Sequence, residues 1–162
     1  MSTKASFDIR PARSDADMAH TREMFVEYQQ WLGVDLCFQD FENEIANLPG
    51  KYAPPGGDIF IARDNSDVAG IVAVRPVGNQ DDKLCEMKRL YVRDQWRGQG
   101  LGRTLAELAL SFAENAGYRR MVLDTLSQLK TARDMYLRMG FLETKAYYDN
   151  PLPGVVYMEK IL

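Results

Sequence analysis

A chain of 162 residues with 46% apolar side chains is long enough for one domain, residues 1–162, with a sizeable core. Its 20 basic and 23 acidic residues leave a net charge of −3 with no long basic run, which argues against a broad nucleic-acid surface. Cys37 and Cys85 lie outside any C-x-x-C spacing and His20 is the single histidine, so a zinc site of Cys and His is not expected. The opening MSTKASFDIR carries no apolar leader core, and no run approaches the roughly 18 apolar residues of a membrane span. A protein of a reducing cytosol, without metal or membrane partner, is therefore expected.

In chain order, residues 7–11 predict a strand. Ser14 followed by Asp17 resembles a capping box for a helix that runs to Leu32, with Met18, Phe25, Tyr28 and Leu32 on one face. Gly33 ends it. Residues 38–48 predict a second, shorter helix, and PGKYAPPGG (49–57) a loop without a regular element. Residues 59–62 and 68–75 predict a hairpin across a turn at 64–67. After a polar connection at 77–82 comes CEMKRLYV (85–92), rich in β-favouring side chains. Next stand RDQWRGQGLGR and a helix with Leu101, Leu105, Leu108, Ala109 and Phe112 at spacings 0, 4, 7, 8 and 11. Residues 121–124 predict a strand, 129–139 a helix, and 141–147 and 155–161 two last strands joined by YDNPLPG. The order β α α β β β α β α β β alternates enough for an α/β sandwich but keeps hairpins, so the sheet must be mixed.

The stretch from Cys85 to Phe112 organises the rest. Strand, glycine turn and helix aim backbone N–H groups at an anion. The first four amides of a helix lack internal partners, the macrodipole adds positive charge there, and glycine lets a phosphate approach the backbone. A phosphate-bearing ligand at Arg97, Gly98, Gln99, Gly100, Leu101, Gly102 and Arg103 is the first inference. A Walker A string is absent. A dinucleotide fingerprint would use Gly98, Gly100 and Asp124, but Arg103 stands at its third glycine, and Glu86, Lys88 and Arg89 charge the preceding strand.

Arg97, Gly100 and Gly102 match R/Q-x-x-G-x-G/A, the pyrophosphate signature of the GCN5-related N-acetyltransferases. CEMKRLYV resembles that family's fourth strand, and ARDMYLRMGF, with Tyr136, Gly140 and Phe141, resembles its last helix and the strand after it. The chain thus resembles this superfamily in order and spacing over about 60 residues. The resemblance implies the GNAT fold, an α/β/α sandwich around a mixed, mostly antiparallel seven-stranded sheet splayed between strands 4 and 5. It implies transfer of an acetyl group from acetyl-CoA to an amine by direct attack, the acceptor being a small molecule or an exposed protein amine. A homodimer is in keeping with many relatives.

What the resemblance implies for residues follows the four needs of that reaction. The turn at Arg97 to Arg103 holds the pyrophosphate, mainly through backbone amides. The amides of Leu90 and Val92, flanking Tyr91, polarise the carbonyl and pair with the pantetheine arm. Tyr136 protonates the leaving thiolate, the alternative being core packing with its hydroxyl at the rim. Glu86 is the candidate base, directly or through water, against the alternative of a surface glutamate paired with Lys88 or Arg75. Cys85 reads as packing. The acceptor pocket draws on Tyr28, Trp31, Phe38, Tyr52, Tyr147, Tyr148, Asp149 and Asn150, whose aromatic and acidic loop suits a small cationic or polar ligand. Two other functions remain open on sequence: a CoA-binding or acyl-CoA-binding sensor without turnover, and a dinucleotide-dependent oxidoreductase.

Overall fold

The computed structural model describes residues 6–162, so the first five residues of the expected single domain, and with them half of the expected leader-free opening, lie outside it. Among the described residues eleven α-helices and strands follow one another: β1 (Asp8–Pro11), α1 (Asp15–Leu32), α2 (Phe41–Ala46), β2 (Asp58–Asp64), β3 (Asp67–Val77), β4 (Leu84–Val92), α3 (Leu101–Asn115), β5 (Arg120–Leu126), α4 (Lys130–Arg138), β6 (Leu142–Glu143) and β7 (Val155–Ile161). They form one seven-stranded sheet in the order β1-β2-β3-β4-β5-β7-β6. Among the described residues only β4 and β5 pair in parallel. The mixed, mostly antiparallel sheet expected from the resemblance is present.

The sheet is covered on both faces because its strands alternate between two apolar sets. On one side, Leu101, Leu105, Ala106, Ala109 and Ala113 of α3, with Tyr136 of α4, pack on Val72, Val74, Cys85, Met87, Met121 and Leu123. On the other, Met24 and Phe25 of α1 and Phe41 of α2 pack on Ile59, Ile61, Ile71, Ala73 and Tyr91. Burying side chains of this size stabilises by about 1.5–3 kcal/mol each.

α1 starts as its sequence directs. Ser14 Oγ accepts from Asp17 N at 3.0 Å, while Asp17 Oδ2 accepts from Ser14 N at 3.2 Å and Arg13 N at 2.8 Å. Those bonds hold the Asp17 carboxyl below the usual carboxylate range. Gly33 closes the helix in the left-handed conformation, φ +70°, donating back to Gln29 O and Gln30 O. The change Ser14→Ala should cost about 1 kcal/mol. A calorimetric scan should show Tm falling by about 2–4 °C. A variant melting with the parent would show that the cap carries none of the helix's stability.

Two elements differ from their sequence expectations. The second helix, expected over 38–48, is broken: a 3₁₀ turn at Cys37–Gln39 precedes α2, and Asp40 between them takes φ +57°. Its carboxylate accepts from Asn43 Nδ2 at 2.9 and 3.1 Å, a local alternative to the helix that Asp and Asn favour. The strand expected over 141–147 shrinks to Leu142–Glu143. Tyr147 and Tyr148 both donate to carboxylates of the sheet, Glu86 and Asp124 respectively. Consecutive side chains of a regular strand point to opposite faces and could not both do this. The loop at 49–57 also contains a short 3₁₀ turn, Gly50–Tyr52.

Two irregularities shape the middle of the sheet. Between Ile71↔Tyr91 and Ala73↔Lys88, β4 carries one residue more than β3, and Arg89 sits at φ +59°. This is a β-bulge, which re-aims side chains beyond it. Beside it, β4 and β5 pair at Leu84↔Arg120, Cys85↔Met121 and Glu86↔Val122, and no further. Past that point the strands part.

Candidate active site

A cleft of about 770 Å³ opens where β4 and β5 separate. Leu90, Tyr91 and Val92 line one bank, Leu123 to Leu126 the other, and α3 begins at one end. Gly98 and Gly100 stand at φ +79° and +81°, where a side chain would be strained, and a Cβ on either would meet open space rather than protein. Gly100 caps α3 without a side-chain bond, so the first amides of the helix keep their hydrogen-bonding capacity facing the cleft. Gly98, Gly100, Leu101, Gly102 and Arg103 all line the cleft.

Arg97 lines it too, but its guanidinium is already engaged. Nε donates to Val92 O at 2.8 Å, Asp94 pairs with it at 2.7 Å, and the Trp31 ring lies 4.5 Å beneath. Trp31, expected at the acceptor pocket, is placed here against the glycine turn, in contact with Tyr28 and Tyr91 as well. Arg103 turns outward to Glu107, at 2.8 Å.

Tyr136 faces the cleft from α4, 7% exposed, its ring edge-on to Phe141 at 5.7 Å. Among the described residues its hydroxyl makes no hydrogen bond. Burial pushes its pKa up, with Tyr28 and Asp124 adding to the effect, so the group stays protonated at neutral pH.

Glu86 is not the surface glutamate that the sequence offered as the alternative to a base. It is 1% exposed, bonded to Arg75 Nε at 2.9 Å and to the Tyr147 hydroxyl, and it stands apart from the residues lining the cleft. Burial and the Glu86 charge push the Tyr147 hydroxyl up. Cys85 is fully buried, and its thiol is pushed up to about 12, which makes it packing and not a nucleophile.

The acceptor residues divide. Tyr28 and Asn150 line the cleft. Tyr148 stands just behind, donating to Asp124 and accepting from Gln39 Nε2 at 2.8 Å and Asn150 Nδ2 at 3.1 Å. Asp149 is exposed on the loop. Phe38 packs on the apolar cluster under α1, and Tyr52 is buried there with its hydroxyl on Glu44 at 3.0 Å. Neither of these two reaches the cleft. The sequence reading did not bring Lys88, Asp124 and Gln39 to this cleft: Asp124 entered only with the dinucleotide alternative, Lys88 only as an ion partner for Glu86, and Gln39 not at all. Lys88 is 5% exposed, lines the cleft, and donates to Gln39 Oε1 at 3.0 Å. Burial brings its ammonium down to about 8, with Glu86 opposing. Three charged residues, Glu86, Lys88 and Arg89, inside a β-forming stretch were the available signal.

The fork, the uncapped helix start and the tyrosine at the rim define an acyltransferase that takes its acyl group from a coenzyme A thioester. Comparison with known proteins agrees. The family model described as acetyltransferase (GNAT) family matches residues 17–141. An uncharacterized N-acetyltransferase of Schizosaccharomyces pombe is 42% identical, the alignment covering 98% of this chain and 96% of that protein. A crystal structure of an acetyltransferase from Streptococcus agalactiae superposes with a TM-score of 0.77 over 96% of this chain and 98% of that one, at 23% identity. A Salmonella typhimurium structure, solved with its cofactor acetyl-CoA, superposes at 0.72 over 97% and 94%, at 20% identity. At such identities these two likenesses speak for the fold. The chain belongs to the GNAT acetyltransferase family, and it is an acetyl-CoA-dependent N-acetyltransferase.

Proposed function

We propose that the amine attacks the thioester carbonyl directly, within the fork, and that Tyr136 supplies the proton to the leaving sulfur. The new C–N bond forms as the C–S bond breaks. The thiolate takes the Tyr136 proton, and solvent restores it. One observation carries this reading: a protonated tyrosine hydroxyl without a partner, on the wall of the same cleft that ends in the uncapped start of α3. The pyrophosphate lies against the Gly98–Arg103 turn, with Gln99 within it, and the pantetheine arm replaces the ladder partner that the far half of β4 has lost, through the amides of Leu90 and Val92 on either side of Tyr91. Arg97 and Arg103 add charge there, Arg97 once it exchanges its carbonyl partner for phosphate.

The base role considered for Glu86 is supported least, since Arg75 and Tyr147 hold both carboxylate oxygens. Asp124 is the carboxylate that the cleft exposes, and the amine's surplus proton leaves by way of it and water. Tyr28, Tyr148 and Asn150 shape the acceptor end, Tyr147 braces it through Glu86, Trp31 buttresses the cofactor end, and Asp149, exposed on the same loop as Asn150, adds negative charge to that loop. The same reading has the protein working in the cytosol on a diffusing acceptor, without nucleic acid or membrane, and pairing as a homodimer at the sheet edge, where Leu142 and Ile161 are 67% and 70% exposed.

Thermal unfolding with separate additions tests the cofactor site. Acetyl-CoA or CoA at about 100 times its Kd should stabilise by about 2.7 kcal/mol. That corresponds to a Tm rise of about 5–10 °C, with NAD giving none. CoA release in the presence of amines then separates an enzyme from a sensor that binds without turnover. A Tm rise with NAD alone would overturn the acetyltransferase mechanism.

A further inference from the structure

Continued two steps past its last pair, the register of the parallel strands would set Lys88 opposite Asp124. Pairs run Leu84↔Arg120, Cys85↔Met121 and Glu86↔Val122, and two steps on come Lys88 and Asp124. Side chains at alternate positions share a face, so Glu86, Lys88, Val122 and Asp124 lie on one side. In an unbroken ladder Lys88 and Asp124 would form a cross-strand ion pair. The strands part just before them, and no carboxylate oxygen stands within ion-pair distance of Lys88 among the described residues.

The other charges at this end of the cleft are matched. Arg75 pairs with Glu86 at 2.9 Å and Arg89 with Glu44 at 3.0 Å. Arg89 reaches Glu44 because the bulge turns it to the same side as its neighbour Lys88. What is left is one cation on the β4 bank and one anion on the β5 bank. Gln39 and Tyr148 bridge them: Lys88 Nζ donates to Gln39 Oε1 at 3.0 Å, Gln39 Nε2 to the Tyr148 hydroxyl at 2.8 Å, and Tyr148 to Asp124. A buried ammonium with one amide oxygen for a partner is costly to hold, and an anionic ligand removes that cost. Lys88 also keeps further N–H donors beyond the one given to Gln39.

We infer that the acceptor is a small zwitterion, an amine that also carries a carboxylate, as in a free amino acid, its ammonium drawn to Asp124 and its carboxylate to Lys88. This deepens the proposed N-acetyltransferase reaction and rests on it. A diamine or polyamine would bring a second positive charge towards Lys88, and a protein lysine would bring no carboxylate at all. The sources of such a carboxylate, a free amino acid or the end of a short peptide, share this chemistry. Acceptors of different length separate them.

The test compares CoA release with a panel of free L-amino acids, their carboxamides, dipeptides and the diamine putrescine, for the parent chain and for Lys88→Met and Lys88→Arg. The expected result is a kcat/KM at least tenfold higher for an amino acid than for its own carboxamide, expressed mainly in KM. Lys88→Met should bring that ratio towards one, and Lys88→Arg should restore part of it. The acetyl-CoA-induced rise in Tm should persist in both variants, which shows that they fold and bind the cofactor. Carboxamides or putrescine turned over as well as, or better than, amino acids would overturn the inference while leaving the acetyltransferase standing. So would a ratio untouched by Lys88→Met. A parent chain that binds acetyl-CoA but releases CoA to no amine of any class would instead overturn the enzymatic mechanism itself.

Discussion

The change Tyr136→Phe should lower kcat by about 100-fold, in the range that a positioned general acid supplies, while KM for acetyl-CoA stays within about threefold. The argument is one of subtraction. The ring is fixed by Phe141 and by its place among the core side chains packed under α4, and phenylalanine keeps that ring. The hydroxyl has no hydrogen-bond partner among the described residues, so its removal leaves no orphaned group behind. Stability should therefore change by well under about 1 kcal/mol, and the melting curve should superimpose on that of the parent. The raised pKa keeps the proton on the oxygen at neutral pH, where an acid is wanted and a base is not. Steady-state kinetics with a saturating acceptor reads the effect. A variant within threefold of the parent in kcat would reduce Tyr136 to packing and hand the thiolate's proton to water.

The largest stability effect should come from Glu44→Ala. Glu44 and Arg89 are 11% and 3% exposed, and Arg89 gives the carboxylate two bonds, Nε to Oε2 at 3.0 Å and a terminal nitrogen to Oε1 at 3.1 Å. Tyr52 donates to the same carboxylate at 3.0 Å. Removing one partner of a buried pair leaves the other charged and unmatched, which typically costs about 3–5 kcal/mol. For a chain of this size that is a fall in Tm of about 6–20 °C. The paired change Glu44→Leu with Arg89→Met removes both charges together and should recover most of the loss, since apolar replacements of a buried pair are often neutral. Denaturant melts of the three chains decide the matter. A single variant that loses less than 1 kcal/mol, or a double variant no better than the single, would show that the pair does not hold α2 to the sheet.

The glycine turn, α3 and the last helix were legible because each is written in local chemistry. Gly98 and Gly100 occupy left-handed conformations that other residues resist, and Ser14 with Asp17 forms the cap that its spacing announced. The parallel β4–β5 pair came from the family likeness and not from periodicity. What stayed hidden depends on long-range partners. Nothing near Asp40 in sequence shows that the second helix breaks there and turns Gln39 towards a strand 49 residues away. Glu86 read as a candidate base or a surface glutamate, and its burial stayed hidden because Arg75 and Tyr147, the groups that bond its carboxylate, are 11 and 61 positions distant. Lys88 and Asp124 stand 36 positions apart, and only the interrupted ladder brings them into relation.

The fork also divides the sheet into two blocks, β1 to β4 on one side and β5, β7 and β6 on the other, stitched by three residue pairs. Lys88 and Asp124 belong to different blocks. Their spacing is consequently a matter of the angle at which the blocks diverge, and that angle is held by the packing at the root of the fork, where Cys85 and Met121 lie under α3 and α4. Volume changes at those buried positions would open or close the jaws without altering any side chain in the cleft. In a fold built this way, acceptor preference can drift by tilting the two halves of the sheet, leaving the phosphate cradle at the start of α3 untouched.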